Sequence, residues 1–316
     1  MFDAPGNCSY IPKAVQTDAG VAGAGTLLSF IITNFISLFL SAIIILLGLR
    51  KSTSAPVCRK LLQSFSDQQI ITGIGIQSIG LAKMQSMVPY HFFIIWLLSL
   101  LSTATNLATL LALVNDFKRD WVLRWLRQFF MLINLFLGVL SGIFILQTVL
   151  KNLEPRLPIA CVWEVESRGS SSNAALSIAG TIAVIAAQAI VFVLSTWYLH
   201  SRANPAWLKS VQVVGLFALL AMGIGATIRV IMESQAFGNP PEALNLQGPS
   251  EKSWSYGQLL PLLLLVMPII STIEVIRGET RMPPSRVDDD TAPLFVNDME
   301  FQPNPLVGSS NSLFRK

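Results

Sequence analysis

Long apolar runs separated by short polar stretches recur along this chain from residue 26 to residue 276. Seven segments carry the pattern: 26–49, 67–82, 90–114, 129–150, 174–199, 210–232 and 255–276. About 20 apolar residues, rising ~1.5 Å each along a helix, cross a hydrocarbon layer roughly 30 Å thick. All but the second segment reach that length. The second is short and holds Gln68, Gln69, Gln77, Gly73, Gly75 and Gly80, so its crossing needs a separate argument.

Polar residues inside the runs fall at helical spacing. Thr26, Ser29, Thr33, Ser37 and Ser41 form one stripe, and Ser99, Ser102, Asn106 and Thr109 form another. Asn134, Gly138, Ser141 and Thr148 make a third, and Ser177, Thr181, Gln188 and Ser195 a fourth. Their spacing places each stripe on one helix face. Such stripes predict hydrogen-bonded seams between helices, each bond contributing roughly 0.6 kcal/mol; the alternative is the wall of a polar cavity for a small ligand. Ala175, Ala179, Ala183 and Ala187 form a ridge of small residues that lets another helix approach closely. Ser66-Asp67-Gln68-Gln69 reads as a capping box opening the second segment, with Asp67 at the positive end of the helix dipole. Asn204-Pro205 reads as the start of the sixth segment, and Ser172 or Asn173 as the cap of the fifth. Pro261 and Pro268 predict a kink in the last.

Charge between the segments adds an orientation. From the N-terminus, the eight stretches outside the segments carry 1, 4, 1, 4, 3, 2, 1 and 5 Lys and Arg. Loops rich in these residues stay cytoplasmic. With seven crossings and the N-terminus outside, the inner stretches hold 15 basic residues and the outer ones 6; without the second crossing the division is 12 against 9. The seven-crossing arrangement fits better. The expected fold is therefore an all-α membrane protein, a bundle of seven transmembrane helices over 26–276. An extracellular N-terminal stretch, 1–25, precedes it and a disordered cytoplasmic tail, 277–316, follows. The first stretch has no basic and apolar leader, so the first crossing is expected to act as an uncleaved insertion signal. Only 13% of the residues are charged, too few to cover a water-soluble surface, where roughly 25% is usual. The net charge of +4 is spread along the membrane ends and not gathered with aromatics, which excludes a nucleic-acid partner.

Ionisable groups near a membrane are the first candidates for function. Asp67, Asp116 and Glu274 map to the cytoplasmic ends of the second, third and seventh crossings. His91, Arg229 and Glu233 map to outer ends. Structural roles compete in each case: a helix cap for Asp67, a solvated loop acid for Asp116, and local ion pairs for Arg229–Glu233 and Glu274–Arg277. For His91 the competing role is an interfacial imidazole beside Tyr90. Gln68, Asn106 and Gln188 are the polar candidates within the segments. Asn115-Asp116-Phe117-Lys118-Arg119-Asp120 resembles only loosely the acid–base cluster of G-protein-coupled receptors and reads as a solvated inner loop.

Several chemistries have no footing. The last segment has no lysine for a retinal Schiff base, and the two histidines, His91 and His200, map to opposite sides, so no metal site is expected. No phosphate-binding loop and no nucleophile–histidine pair appear at usable spacing, and neither a catalytic residue nor a cofactor is assigned. Cys8 and Cys161 fall on the outer side, where they either pair as a disulfide or remain free thiols. Asn7-Cys8-Ser9 is a glycosylation acceptor on that side. Cys58, near Arg59-Lys60, is either a free thiol or a palmitoylation site.

Several stretches together resemble a family of seven-span membrane proteins from filamentous ascomycete fungi. They are Asp18-Ala19-Gly20-Val21-Ala22-Gly23, Ser66-Asp67-Gln68-Gln69 with Thr72-Gly73, Tyr90-His91-Phe92, Pro158-Ile159-Ala160-Cys161 and Tyr256-Gly257-Gln258. The resemblance covers most of residues 8–276. Gly23-Ala24-Gly25 stands where a Gly-Ile-Gly type is expected. The resemblance implies the fold and topology, and no activity.

Three functions follow as expectations. The first is a non-enzymatic, receptor-like or membrane-organising protein that meets cytoplasmic partners through its tail. The second is a membrane-embedded enzyme of lipid or terpenoid metabolism, with Asp67, Asp116 or Glu274 as its acid. The third is a transporter. Beyond the lipid bilayer, a small hydrophobic ligand is the expected partner. The plasma membrane is the first expected location and an endomembrane the second.

Overall fold

The computed structural model describes residues 8–50, 55–119, 121–167, 174–200, 208–239, 244–248 and 251–277. Asn7, the expected caps at Ser172, Asn173 and Asn204, and the tail beyond Arg277 lie outside the described residues. In chain order the helices are α1 (Ala19–Ala22), α2 (Ala24–Leu49), α3 (Pro56–Ala82), α4 (Pro89–Ala112), α5 (Val114–Arg119) and α6 (Trp121–Lys151). After them come α7 (Ala174–His200), α8 (Leu208–Glu233), α9 (Tyr256–Leu264) and α10 (Val266–Ile276). Among the described residues, 6 helical stretches are long and apolar enough to cross a bilayer, and the chain is a multi-pass membrane protein.

The axis of the bundle is α4. Its apolar stretch is buried on every side, with α2, α3, α6, α7 and α8 packed around it. The outer surface is apolar: Phe39, Phe136, Ile190, Phe217 and Ile269 are exposed on five different helices. Water-soluble monomers rarely present so much contiguous apolar area, whereas lipid favours it.

Two elements depart from the sequence expectation and a third refines it. First, α3 begins at Pro56, well before Asp67. Proline supplies the helical φ at the first position and has no N–H to leave unsatisfied there. Ser66, Asp67, Gln68 and Gln69 therefore lie inside a helix, and the expected capping box does not form. Second, α6 begins at Trp121, which brings Arg124, Arg127 and Gln128 into the helix. Third, the last segment divides into two helices at the expected kink, with Leu265 between them still in the right-handed helical region. Pro268 offers no N–H to the carbonyl of Leu264 and crowds it, and the helix is interrupted at Leu265.

One end of the bundle is capped by the segments that join its helices. Val15–Gln16 (β1) pairs in parallel with Leu246–Gln247 (β2). The backbone N–H groups of Ile159 and Ala160, in a short 3-10 turn at Ile159–Trp163, donate to the carbonyls of Met87 and Met84. A disulfide joins Cys8 to Cys161, which resolves the two alternatives left by the sequence and pins the N-terminal stretch across the cap. Residues 8–18 are thus part of the cap's structure.

Candidate functional site

Glu251 is at the centre of the capped end. It precedes α9, and its side chain is fully enclosed. Two residues at the start of α4 meet it: the Tyr90 hydroxyl donates to Oε2 at 2.9 Å, and His91 Nε2 lies 2.9 Å from Oε1. Tyr90 Oη in turn accepts from the Gln235 backbone N–H at 2.8 Å, just beyond α8. The carbonyl of Glu251 accepts from Ala24 N–H at the head of α2. Each carboxylate oxygen thus has a donor, which a fully enclosed carboxylate requires. Asp18 N–H also points at His91 Nε2, at 3.3 Å. One ring nitrogen cannot accept from an N–H and donate to a carboxylate together. The shorter, charge-assisted contact to Glu251 assigns the hydrogen to Nε2.

The same end carries small-residue contacts. Gln258, buried on α9, donates to the Ser253 carbonyl and accepts from Gly25 N–H. A Cβ at Gly23 or Gly25 would overlap it, so the two glycines let α9 close onto α2. Four of the five stretches quoted for the fungal resemblance therefore meet at this end, although they are far apart in sequence.

A cavity of about 520 Å³ lies beside this cluster. His91 is in its wall, together with Asp18, Lys83 and Arg156 and the apolar Val15, Met87 and Pro158. Asp18 caps α1 through Gly20 N–H and accepts from Lys83 Nζ at 3.0 Å, in a bridge partly open to solvent. Arg156 Nη1 donates to the Lys13 carbonyl at 3.4 Å, while its shielded Nε has no hydrogen-bond acceptor.

At the opposite end Asp116 and Asp67 each meet an arginine, Asp67 with its side chain about half exposed. Asp116, on α5, is clamped by Arg59 of α3 and is not a free loop acid. Asp67 pairs with Arg127 at 2.7 Å, and the guanidinium lies 4.8 Å from the centre of the Phe117 ring. Asp67 is thus a partner for a buried arginine from a helix that starts earlier than expected. Between the ends, the polar stripes meet in a seam of α3, α4 and α6. Ser66 Oγ donates to Asn106 Oδ1 at 2.8 Å, and Asn106 Nδ2 donates to Ser102 Oγ. Gln77 donates to Asn134 Oδ1, and Asn134 to Thr103 Oγ1. Side chains bonded directly to one another are helix–helix glue.

The remaining candidates are dispersed. Gln188 is buried and donates to Met222 Sδ, and Gln68 is half-buried in α3. Arg229 pairs with Glu233 one turn on at 3.2 Å, in the open, and Glu274 is exposed on α10. The alanine ridge is not covered by a helix among the described residues. Ala175, Ala179, Ala183 and Ala187 are exposed, because Thr181, Gln188 and Ser195 occupy the inward face of α7. Ser177, expected on that inward face, is exposed too. Cys58 is a free, half-buried thiol.

Sequence reasoning found His91 but missed Glu251, Lys83, Arg156, Gln235 and Arg127. Glu251 sits in a polar connecting stretch without periodicity, and nothing local distinguishes it from a solvated loop acid. Comparison with known protein families, curated proteins and solved structures finds no match to this chain.

Proposed function

We propose that this chain is a seven-span, receptor-like membrane protein whose ligand pocket is the cavity beside His91. In this reading α3 is the seventh crossing. Its 27 residues are ~40 Å long, and its burial is inverted relative to a water-soluble helix: Gln69 and Gln77 face inward while Ile71 and Ile79 are exposed. The capped end is outside, in agreement with the loop charges and with a disulfide there. The tail is cytoplasmic and recruits partners, and the seven-span fungal proteins are its relatives.

The observation that carries the reading is the cavity itself, of ordinary small-molecule size and bounded by His91, whose imidazole is tied to Glu251. A ligand touching His91 therefore touches a group bonded to the elements that open α2, α4 and α9 and follow α8. The arginine partners of Asp67 and Asp116 weigh against the enzyme reading, because both carboxylates are already engaged.

The test is a thermal-shift screen of small molecules on the protein in nanodiscs, repeated with Ser86→Trp. Ser86 is exposed and lines the cavity, so the indole obstructs part of the cavity from its rim and leaves the core untouched. Compounds that stabilise the wild type and not Ser86→Trp are expected. Equal stabilisation of both proteins by every active compound refutes the pocket. Epitope tags at the termini test the orientation, and an externally accessible C-terminus overturns it. Deletion of 283–316 is expected to abolish partner recruitment and leave insertion intact; unchanged proximity labelling counts against the tail's role.

A further inference from the structure

We propose that the cavity takes a small organic monoanion, with its carboxylate met by Arg156 and Lys83 and its body lying along the apolar wall. The inference rests on the cavity being the ligand pocket and names the class of ligand. Four ionisable side chains line the cavity: Asp18, Lys83, His91 and Arg156. His91 is bonded to the enclosed carboxylate of Glu251, which does not line the cavity, so the charged side chains in the wall itself are Lys83, Arg156 and Asp18, and a single negative charge on the ligand balances those three. A dianion would face the carboxylate of Asp18 with one charge too many. A cation would meet Arg156 and Lys83.

Both cations have capacity left. Arg156 is half-buried in the cavity wall and makes one long bond, from Nη1 to the Lys13 carbonyl at 3.4 Å, and guanidinium is suited to holding a carboxylate through two parallel bonds. Lys83 is held by Asp18 in a bridge with about half of the lysine side chain exposed, so it exchanges partners easily. Pro12, Val15, Met87, Val88 and Pro158 supply the apolar part of the lining, against which a hydrocarbon body replaces water. The expected hydrophobic ligand thus becomes an amphiphilic one with an anionic head.

The probe is phenylacetate, followed by saturation-transfer NMR with the full-length protein in nanodiscs of zwitterionic lipid. Phenylacetamide serves as the neutral isostere and inorganic phosphate as the anion without an apolar body. Phenylacetate is expected to bind saturably, at least about tenfold tighter than phenylacetamide, the worth of one charge-assisted hydrogen bond. Arg156→Gln should weaken phenylacetate by a similar factor, and Arg156→Lys should restore part of the loss. Asp18→Asn keeps an N-capping side chain for α1 and should tighten binding, an effect opposite to that of structural damage. Retention of the Cys8–Cys161 disulfide in each variant shows that the cap has folded.

Equal binding of phenylacetate and phenylacetamide, both lost in Ser86→Trp, overturns the anion and leaves the pocket standing. So does unchanged phenylacetate affinity in Arg156→Gln. Phosphate binding as tightly as phenylacetate overturns the apolar body. If no probe binds and Ser86→Trp removes no stabilisation in the wider screen, the pocket reading falls and this proposal falls with it.

Discussion

Replacing Glu251 by alanine should be among the most damaging single changes at the capped end. The residue is fully enclosed, and its loss strips the acceptor from the Tyr90 hydroxyl and from His91 Nε2 together. Hydrogen bonds to a charged group contribute about 1.5–3 kcal/mol each. Two such bonds are lost together, about 3–6 kcal/mol before the neighbours relax. The expected loss for Glu251→Ala is therefore about 4 kcal/mol. Glu251→Gln should cost less, about 1–2 kcal/mol, because the amide oxygen still accepts from His91 while its NH2 confronts the Tyr90 hydroxyl. Tyr90→Phe leaves Glu251 Oε2 and Gln235 N–H without their partner and should lie between the two. The comparator is Glu233→Ala, which removes the exposed pair with Arg229 and should cost less than about 0.5 kcal/mol. Unfolding in mixed micelles by SDS titration gives the ranking, and a double-mutant cycle of Glu251→Ala with Tyr90→Phe gives the coupling. If Glu251→Ala falls within about 1 kcal/mol of wild type, or couples no more strongly to Tyr90→Phe than to Glu233→Ala, the cluster is not the staple described.

The other perturbations test separate parts of the structure. Cys8 and Cys161 close a loop of 153 residues, worth at most about 5 kcal/mol for a fully unfolded chain and less for one that keeps its helices in the membrane. Cys8→Ser, Cys161→Ser and the double substitution should lower the melting temperature equally, and additive losses would contradict the pairing. Asp67→Leu removes the partner of the buried Arg127 guanidinium, but the Asp67 side chain is about half exposed and screened by solvent, so the cost should be about 1 kcal/mol, and Asp67→Leu with Arg127→Met should recover much of it in the same titration. Gly73→Leu should prevent folding, because even a Cβ there overlaps Ser102 and Asn134, while Gly75→Ala meets open space and should stabilise α3 by about 0.5 kcal/mol.

The sequence carried the periodic part of this structure. Apolar runs and polar stripes have a helical period, so α2, α4, α7 and α8 lie close to where the pattern placed them, and Ser102, Asn106 and Asn134 face inward as their spacing required. What the pattern could not carry was the joining of distant polar residues. The side chain of Glu251 is defined by Tyr90 and His91, 160 or so positions away, and no local periodicity encodes that meeting. Arg127 shows a different failure. A basic residue at a membrane end serves the loop-charge rule equally well whether it is solvated or buried, so the rule placed the loop and was silent about the pair with Asp67. The start of α3 was hidden because Arg59 and Lys60 lowered the hydropathy of its first turns, although Pro56 marked the helix opening.

The break at Leu265 constrains how the two ends can influence each other. α9 belongs to the capped end, through Gln258 and its bonds to Gly25 N–H and the Ser253 carbonyl. α10 is tied to α3, where Ser271 Oγ donates to Ser64 Oγ. An uninterrupted helix would make these one lever, but a break absorbs tilt, so displacement of α9 need not reach α10. α4 has no such interruption. It carries His91 at one end, is bonded along its length to α3 and α6, and at the other leads into α5, where Asp116 meets Arg59. Movement started at the cavity should therefore travel through α4. Pro268→Ala tests this division, since it restores an N–H that can reach the Leu264 carbonyl and should rejoin α9 to α10, adding about 1 kcal/mol. Hydrogen exchange at the amide of residue 265 and at the restored amide of residue 268 should then be slow, as in an unbroken helix. Rapid exchange at both positions in Pro268→Ala would show that the interruption is set by packing against α2 and α3 and not by the proline.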